Sequence, residues 1–187
     1  MPRIVDHDAE RRVLARRSTD LFARHGYAGL SMRAAAEELG VSTGTLYHYF
    51  NGKDDLFAAV VDATVDADVL EAMAGLSVAG VPPALRLRAI FAYAQTTLPR
   101  LVRDYRVFVE FAAHASSNAR VDELVRHSRA RYLDTVMRVL DLRDRARADI
   151  VLLALCGLIL RAMCGDDSTD VEDVCRALDP ILGGDST

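Results

Sequence analysis

Glycine, proline and asparagine fall at the joints of this chain. Gly26, Gly40, Asn51-Gly52 and Gly80-Val81-Pro82-Pro83 cut it into stretches rich in Ala, Leu and Arg, and runs of β-branched residues are short. That punctuation and period predict an all-α protein of about nine helices. The predicted spans are Ala9–His25, Met32–Leu39, Thr43–Tyr49, Lys53–Leu76, Pro83–Thr97, Arg100–Ala115, Arg120–Leu140, Ala146–Cys164 and Asp170–Leu182. Gly26 is expected as a left-handed stop after the first helix, and Gly183–Thr187 as a fraying tail. Ser31, Ser42 and Asn51 are the expected N-caps, and Thr169-Asp170-Val171-Glu172 reads as a capping box.

Composition narrows the function classes. With 51% hydrophobic residues in 187, the chain can bury a core. The longest apolar run, Ile150 to Leu160, is too short to span a bilayer, which needs about 20 residues. The first residues lack the apolar stretch of a secretory signal. Three cysteines argue against a disulfide framework. A cytoplasmic protein with no membrane partner is expected. No nucleophile elbow, Cys/His pair, clustered metal ligands or glycine-rich phosphate loop is present, so neither an enzyme nor a cofactor or metal is expected.

The net charge of -4 by itself argues against a nucleic-acid partner, but it is unevenly distributed. Of 23 basic and 27 acidic residues, eight of each lie in residues 1–55, so the acidic excess belongs to 56–187. Arg11, Arg12, Arg16, Arg17 and Arg24 form a local basic cluster, and a local patch suffices for phosphate because salt screens beyond about 10 Å.

The informative stretch runs from Ser31 to Phe50. It reads as a capped helix, a glycine turn and a second capped helix. Gly40 fits a turn of positive φ, Val41 can plug the wedge, and Ala36 permits close approach. Leu46 and Phe50, four apart, face inward. That leaves Thr43, Gly44, Thr45, Tyr47 and His48 on the outer face, as a recognition helix presents itself to the major groove. Threonine hydroxyls and methyls suit base edges, whereas tyrosine and histidine can donate to phosphates. Lys53 and the amides opening the fourth helix can hold a further phosphate. A hairpin without a nucleic-acid role would require neither the two caps nor the exposed aromatics.

Leu21-Phe22, Gly26-Tyr27, Ser31-Met32-Arg33, Ala36, Gly40-Val41-Ser42, Gly44-Thr45-Leu46-Tyr47-His48-Tyr49-Phe50 and Lys53 with Leu56 together resemble the N-terminal domain of TetR-family transcriptional regulators. The resemblance implies a three-helix helix-turn-helix domain in 1–52 and a helical effector-binding and dimerisation domain in 53–187. It implies DNA contacts from Arg33, Thr43, Gly44, Thr45, Tyr47, His48 and Lys53, and release of operator DNA on ligand binding. Two positions depart from the family pattern. Ala35 replaces a branched apolar residue, with Leu39 available to refill the volume. Arg17 replaces a small residue and is expected to lean toward solvent or phosphate.

Beyond residue 57 no motif carries over. The helix over 146–164 is apolar nearly all round, with Ala154 and Gly157 permitting close approach. The helix over 170–182 offers Val171, Val174, Cys175, Leu178, Ile181 and Leu182 as a second stripe. Together they are expected to form a four-helix homodimer interface, which predicts a near-palindromic operator, although either stripe can instead fill the monomer core. Met73, Phe91, Tyr105, Phe108, Phe111, His114 and Tyr132, with Tyr93 and Met137, are candidates for a pocket binding a small, mainly hydrophobic effector, or are ordinary core. His114 is the favoured polar pocket group, and Arg103, Arg106 and Arg120 would suit an acidic effector or a solvated surface. The expected function is a ligand-responsive DNA-binding repressor. The alternatives are a redox-responsive regulator using Cys164 and Cys175, and an architectural DNA binder without an effector.

Overall fold

A computed structural model describes residues 6–76, 80–115, 119–166 and 168–182. The described residues form helices α1 (His7–Gly29), α2 (Met32–Leu39), α3 (Thr43–Tyr49), α4 (Lys53–Leu76), α5 (Pro83–Thr96), α6 (Leu98–Ala115), α7 (Ala119–Leu140), α8 (Arg145–Met163) and α9 (Val171–Leu182), with no strand. The tail expected to fray lies outside them.

Three local expectations are corrected. Gly26 has positive φ (68°) but an extended ψ of 168°, so α1 kinks there and resumes to Gly29 instead of stopping. At α4 the Leu56 N–H bonds to the Gly52 carbonyl, and Asn51 enters through its backbone N–H, donated to Asp55 Oδ2 at 3.0 Å. Asp170, not Thr169, caps α9: its Oδ1 accepts the Glu172 and Asp173 N–H groups at 2.8 and 3.4 Å. The Thr169 hydroxyl is buried without a hydrogen bond. A carboxylate is the stronger acceptor at the positive end of a helix.

The helices divide into two compact units: Met1–Asp66 with Arg103–Arg126, and Ala67–Val102 with His127–Thr187. By packing, the start of α4 belongs with α1 to α3, because Leu56, Phe57 and Val60 are fully buried. The Phe22 and Phe57 rings meet at 4.6 Å in this core. Each such side chain contributes on the order of 1.5–3 kcal/mol by leaving water.

The second unit has its own core around Leu87, Phe91, Leu133, Leu140, Val151 and Leu178. Arg88 of α5 clasps Asp179 of α9 through two hydrogen bonds of 3.0 and 2.8 Å. The α9 stripe turns inward: Cys175 and Leu178 are buried, and Val171, Val174, Ile181 and Leu182 pack on the same core. Within one chain the stripe packs on this core, with α9 against α5 and α8. On α8, Ala148, Val151 and Leu158 are buried, whereas Ile150, Leu153 and Leu160 are 45%, 62% and 51% exposed. Gly157 lies between the last two, and a Cβ there would meet nothing.

Candidate nucleic-acid interface

Local chemistry builds the α2–α3 hairpin. Ser31 Oγ accepts the Ala34 N–H at 3.1 Å, opening α2. Gly40 takes the left-handed conformation (φ 72°, ψ 29°). Its N–H then bonds to the Glu37 carbonyl and that of Val41 to the Ala36 carbonyl, so both orphaned acceptors are satisfied. Ser42 Oγ accepts the Thr45 N–H at 2.9 Å and shares a hydrogen bond with the Thr45 hydroxyl at 2.7 Å. Ala35 and Leu39 are both buried, so the small and the large residue occupy one core.

The faces of α3 divide as its spacing predicts. Leu46 is fully buried and Phe50 nearly so. Thr43, Gly44, Thr45, Tyr47 and His48 are exposed, as is Arg33 on α2. Lys53 is half-buried. Its ammonium donates to the Tyr27 carbonyl at 2.8 Å and sits 4.2 Å from the centre of the Tyr27 ring. To meet a phosphate it must share that bond.

The five-arginine cluster is not a free patch. Arg11 bonds to the Tyr49 carbonyl, pairs with Asp55 at 2.9 Å and lies over the Phe50 ring at 4.5 Å. Arg17, which is exposed as expected, also donates to the Leu39 carbonyl at 2.5 Å at the end of α2. Arg24 pairs with Glu38 at 2.6 Å and holds its carboxyl below the usual range, with His25 assisting. Neighbouring carboxylates and unpaired helix-end carbonyls capture these guanidinium groups. Among the described residues, Arg12, Arg16 and Arg33 are left without an ion pair.

Sequence reasoning missed the surroundings of the Gly26 kink. The Glu110 carboxylate from α6 accepts the Tyr27 N–H. A Cβ on Gly26 would stand 3.1 Å from the same carboxylate. Arg103 of α6 pairs with Asp20 of α1 at 2.8 Å. The Tyr27 hydroxyl donates to Asp54. Burial first, then Asp54, pushes the Tyr27 phenol up to about 12. The single signal in the sequence was a glycine at a break. His7 was also missed: its ring lies 4.7 Å from that of Tyr49 and 5.3 Å from that of His48.

The effector candidates fall in different places. Met73, Phe91 and Tyr132 belong to the second unit, and Tyr105 and Phe108, stacked at 6.3 Å, to the first. Phe91 is wholly buried core, with Met73 and Met137 packed on it. Tyr132 donates to Asp68 Oδ2 at 2.8 Å. The side chains of Phe111, His114 and Arg120 lie outside the described residues. Arg106 is exposed. No local pattern marks the polar cluster of the second unit. There Arg100 reaches Glu71 at 2.9 Å and the Tyr93 hydroxyl at 2.8 Å. Burial, then Glu71, pushes the Tyr93 phenol up to about 12. Cys164 is exposed, and burial pushes the Cys175 thiol up, leaving less of the reactive thiolate. Among the described residues no cluster suits a metal ion and no helix is long and apolar enough to cross a membrane.

A capped hairpin that buries one face of its second helix and exposes the other has the arrangement of a helix-turn-helix. Residues 16–60 match the family described as bacterial regulatory proteins, tetR family. The transcriptional regulator PksA of Bacillus subtilis is 29% identical over 115 residues, which span 62% of this chain and 56% of PksA. The regulator BetI of Brucella canis is 26% identical over 97% of this chain and 94% of its own. A transcriptional regulator from Saccharomonospora viridis, solved in complex with choline, shares the fold at a TM-score of 0.70. It is 20% identical over 95% of this chain and 97% of that one. Residues 16–60 are thus similar to the tetR family of bacterial regulatory proteins, and the relatives that match over more of the chain are named as transcriptional regulators.

Proposed function

We propose that the protein is a homodimeric repressor that leaves a near-palindromic operator when a small, mainly apolar effector binds. The observation that carries this reading is the division of α3, with Leu46 and Phe50 inside and Thr43, Gly44, Thr45, Tyr47 and His48 exposed. Thr43, Gly44 and Thr45 would meet base edges, and Arg33, Tyr47, His48 and Lys53 the phosphates. By role, 1–52 reads DNA and 53–187 binds effector and partner, within the cytoplasm.

The exposed α8 row of Ile150, Leu153 and Leu160 around Gly157 supports pairing of two copies. Two-fold pairing would set recognition helices one turn of DNA apart. The α9 contribution to such an interface would come from its outer face, since its apolar stripe is used in the monomer.

The choline-bound relative supports a small organic effector. The candidates to hold it are Met73, Phe91 and Tyr132 in the second unit or, separately, Tyr105, Phe108, Phe111 and His114 in the first. Helix α4 carries Lys53 near one end and Met73 near the other, which makes it the lever in this reading. Effector binding must favour the released conformation, and a coupling of about 1–3 kcal/mol weakens operator binding roughly 5- to 150-fold.

The test is selection of bound sites from random DNA, repeated with fractionated metabolite pools. An inverted repeat released by one fraction supports the proposal. Binding without sequence preference, unaffected by every fraction, contradicts it and favours an architectural role.

A further inference from the structure

Three rings meet where α1 begins and α3 ends. His7 stands edge-on to His48, with centroids 5.3 Å apart, and tilted against Tyr49 at 4.7 Å. His48 and Tyr49 are themselves edge-to-face at 5.0 Å. One turn along α1, Arg11 holds the Tyr49 carbonyl. The first two turns of α1 therefore grip the last turn of a helix only seven residues long. So short a helix owes its order to such packing and not to intrinsic stability.

We propose that His7, outside the helix-turn-helix itself, is a positioning residue for operator binding that acts through His48 and Tyr49 and links that binding to proton uptake. The inference rests on the reading of His48 as a phosphate contact. Restricting two side chains before DNA arrives lowers the ordering cost of binding. An imidazole changes charge between about pH 5 and 8. In the free protein, two charged imidazoles so close oppose each other, and a phosphate beside them removes the opposition.

The surrounding charges are few. On α1, the Asp8 carboxylate lies 3.9 Å from His7 Nδ1, whereas the Asp6 carboxylate is occupied by the Asp8 and Ala9 N–H groups. Arg11 on α1 is neutralised by Asp55 of α4, and α3 presents His48 and Tyr49. The complex then binds more protons than its separate parts, so operator affinity rises as pH falls from 8 to 6.

The test compares the full-length protein with His7→Ala and His7→Phe on one selected duplex at pH 6 and pH 8, at constant salt, with thermal midpoints recorded. His7→Ala is expected to bind about 3- to 10-fold more weakly at pH 6, the range set by ordering two side chains. His7→Phe keeps the ring packing. It is expected to bind like the parent at pH 8 and to lose most of the gain on acidification. Parental affinity in both variants at both pH values overturns the proposal. So does an unchanged pH response in His7→Phe, which reduces His7 to packing. A parent that binds no duplex at all tells against the operator reading, not against this inference.

Discussion

Arg11 and Asp55 are 44 residues apart in the chain, yet a 2.9 Å ion pair joins the first helix to the fourth beneath the end of the recognition helix. Asp55 is only 10% exposed, and its other oxygen takes the Asn51 N–H, so the pair also fixes the turn that ends α3. Arg11→Met takes the guanidinium from that carboxylate and from the Tyr49 carbonyl. The expected loss is about 2 kcal/mol of unfolding free energy, read by urea denaturation. An unchanged midpoint would mean that water replaces the guanidinium at no cost.

Gly40→Ala isolates backbone strain. Nothing lies within 4 Å of a Cβ at this position, so the variant suffers only from its left-handed φ of 72°. A destabilisation of about 1 kcal/mol is expected in the same denaturation experiment, with the helical circular dichroism spectrum retained.

Leu153→Glu tests the α8 row. Leu153 is 62% exposed, so the monomer fold should tolerate the charge. Sedimentation equilibrium is expected to show a dimeric parent and a monomeric variant, and operator affinity should fall because one half-site is lost to each molecule. A dimeric variant would place the interface elsewhere.

The Arg88–Asp179 clasp makes the second unit acid-sensitive. Arg88 holds the Asp179 carboxyl below its usual range. A carboxyl depressed in the folded state stabilises that state above its unfolded pKa, about 3.9, and the gain disappears as pH falls through the folded value. Arg88→Met is therefore expected to lower the melting temperature near neutrality and to bring it closer to the parent's below pH 3. Parallel melting curves at all pH values would deny the clasp that role.

The features legible in advance were those determined within a few residues. Ser31, Gly40 and Ser42 act on neighbours three to five positions away, and the bounds of α2 and α3 follow from them. Gly26 shows the limit: a glycine announces positive φ but not whether the helix resumes, and here the Glu110 carboxylate, 83 positions from Tyr27, bonds beside the kink. The basic cluster misled for the same reason. Arg11, Arg17 and Arg24 find partners 14 to 44 residues away, which no local pattern encodes. The α8 and α9 stripes look alike in sequence. Only packing against α5 turns one inward, while part of the other stays exposed.

In the proposed function, the outer face of α3 and the start of α4 hold a DNA duplex. Titration of a labelled, selected duplex with the parent and with the double variant Tyr47→Ala, Lys53→Ala tests it most directly, across a range of salt concentrations. With both proteins equally folded, the account predicts at least about tenfold weaker binding and a salt dependence reduced by about one released counterion per site. Equal affinity and an equal salt dependence would contradict it.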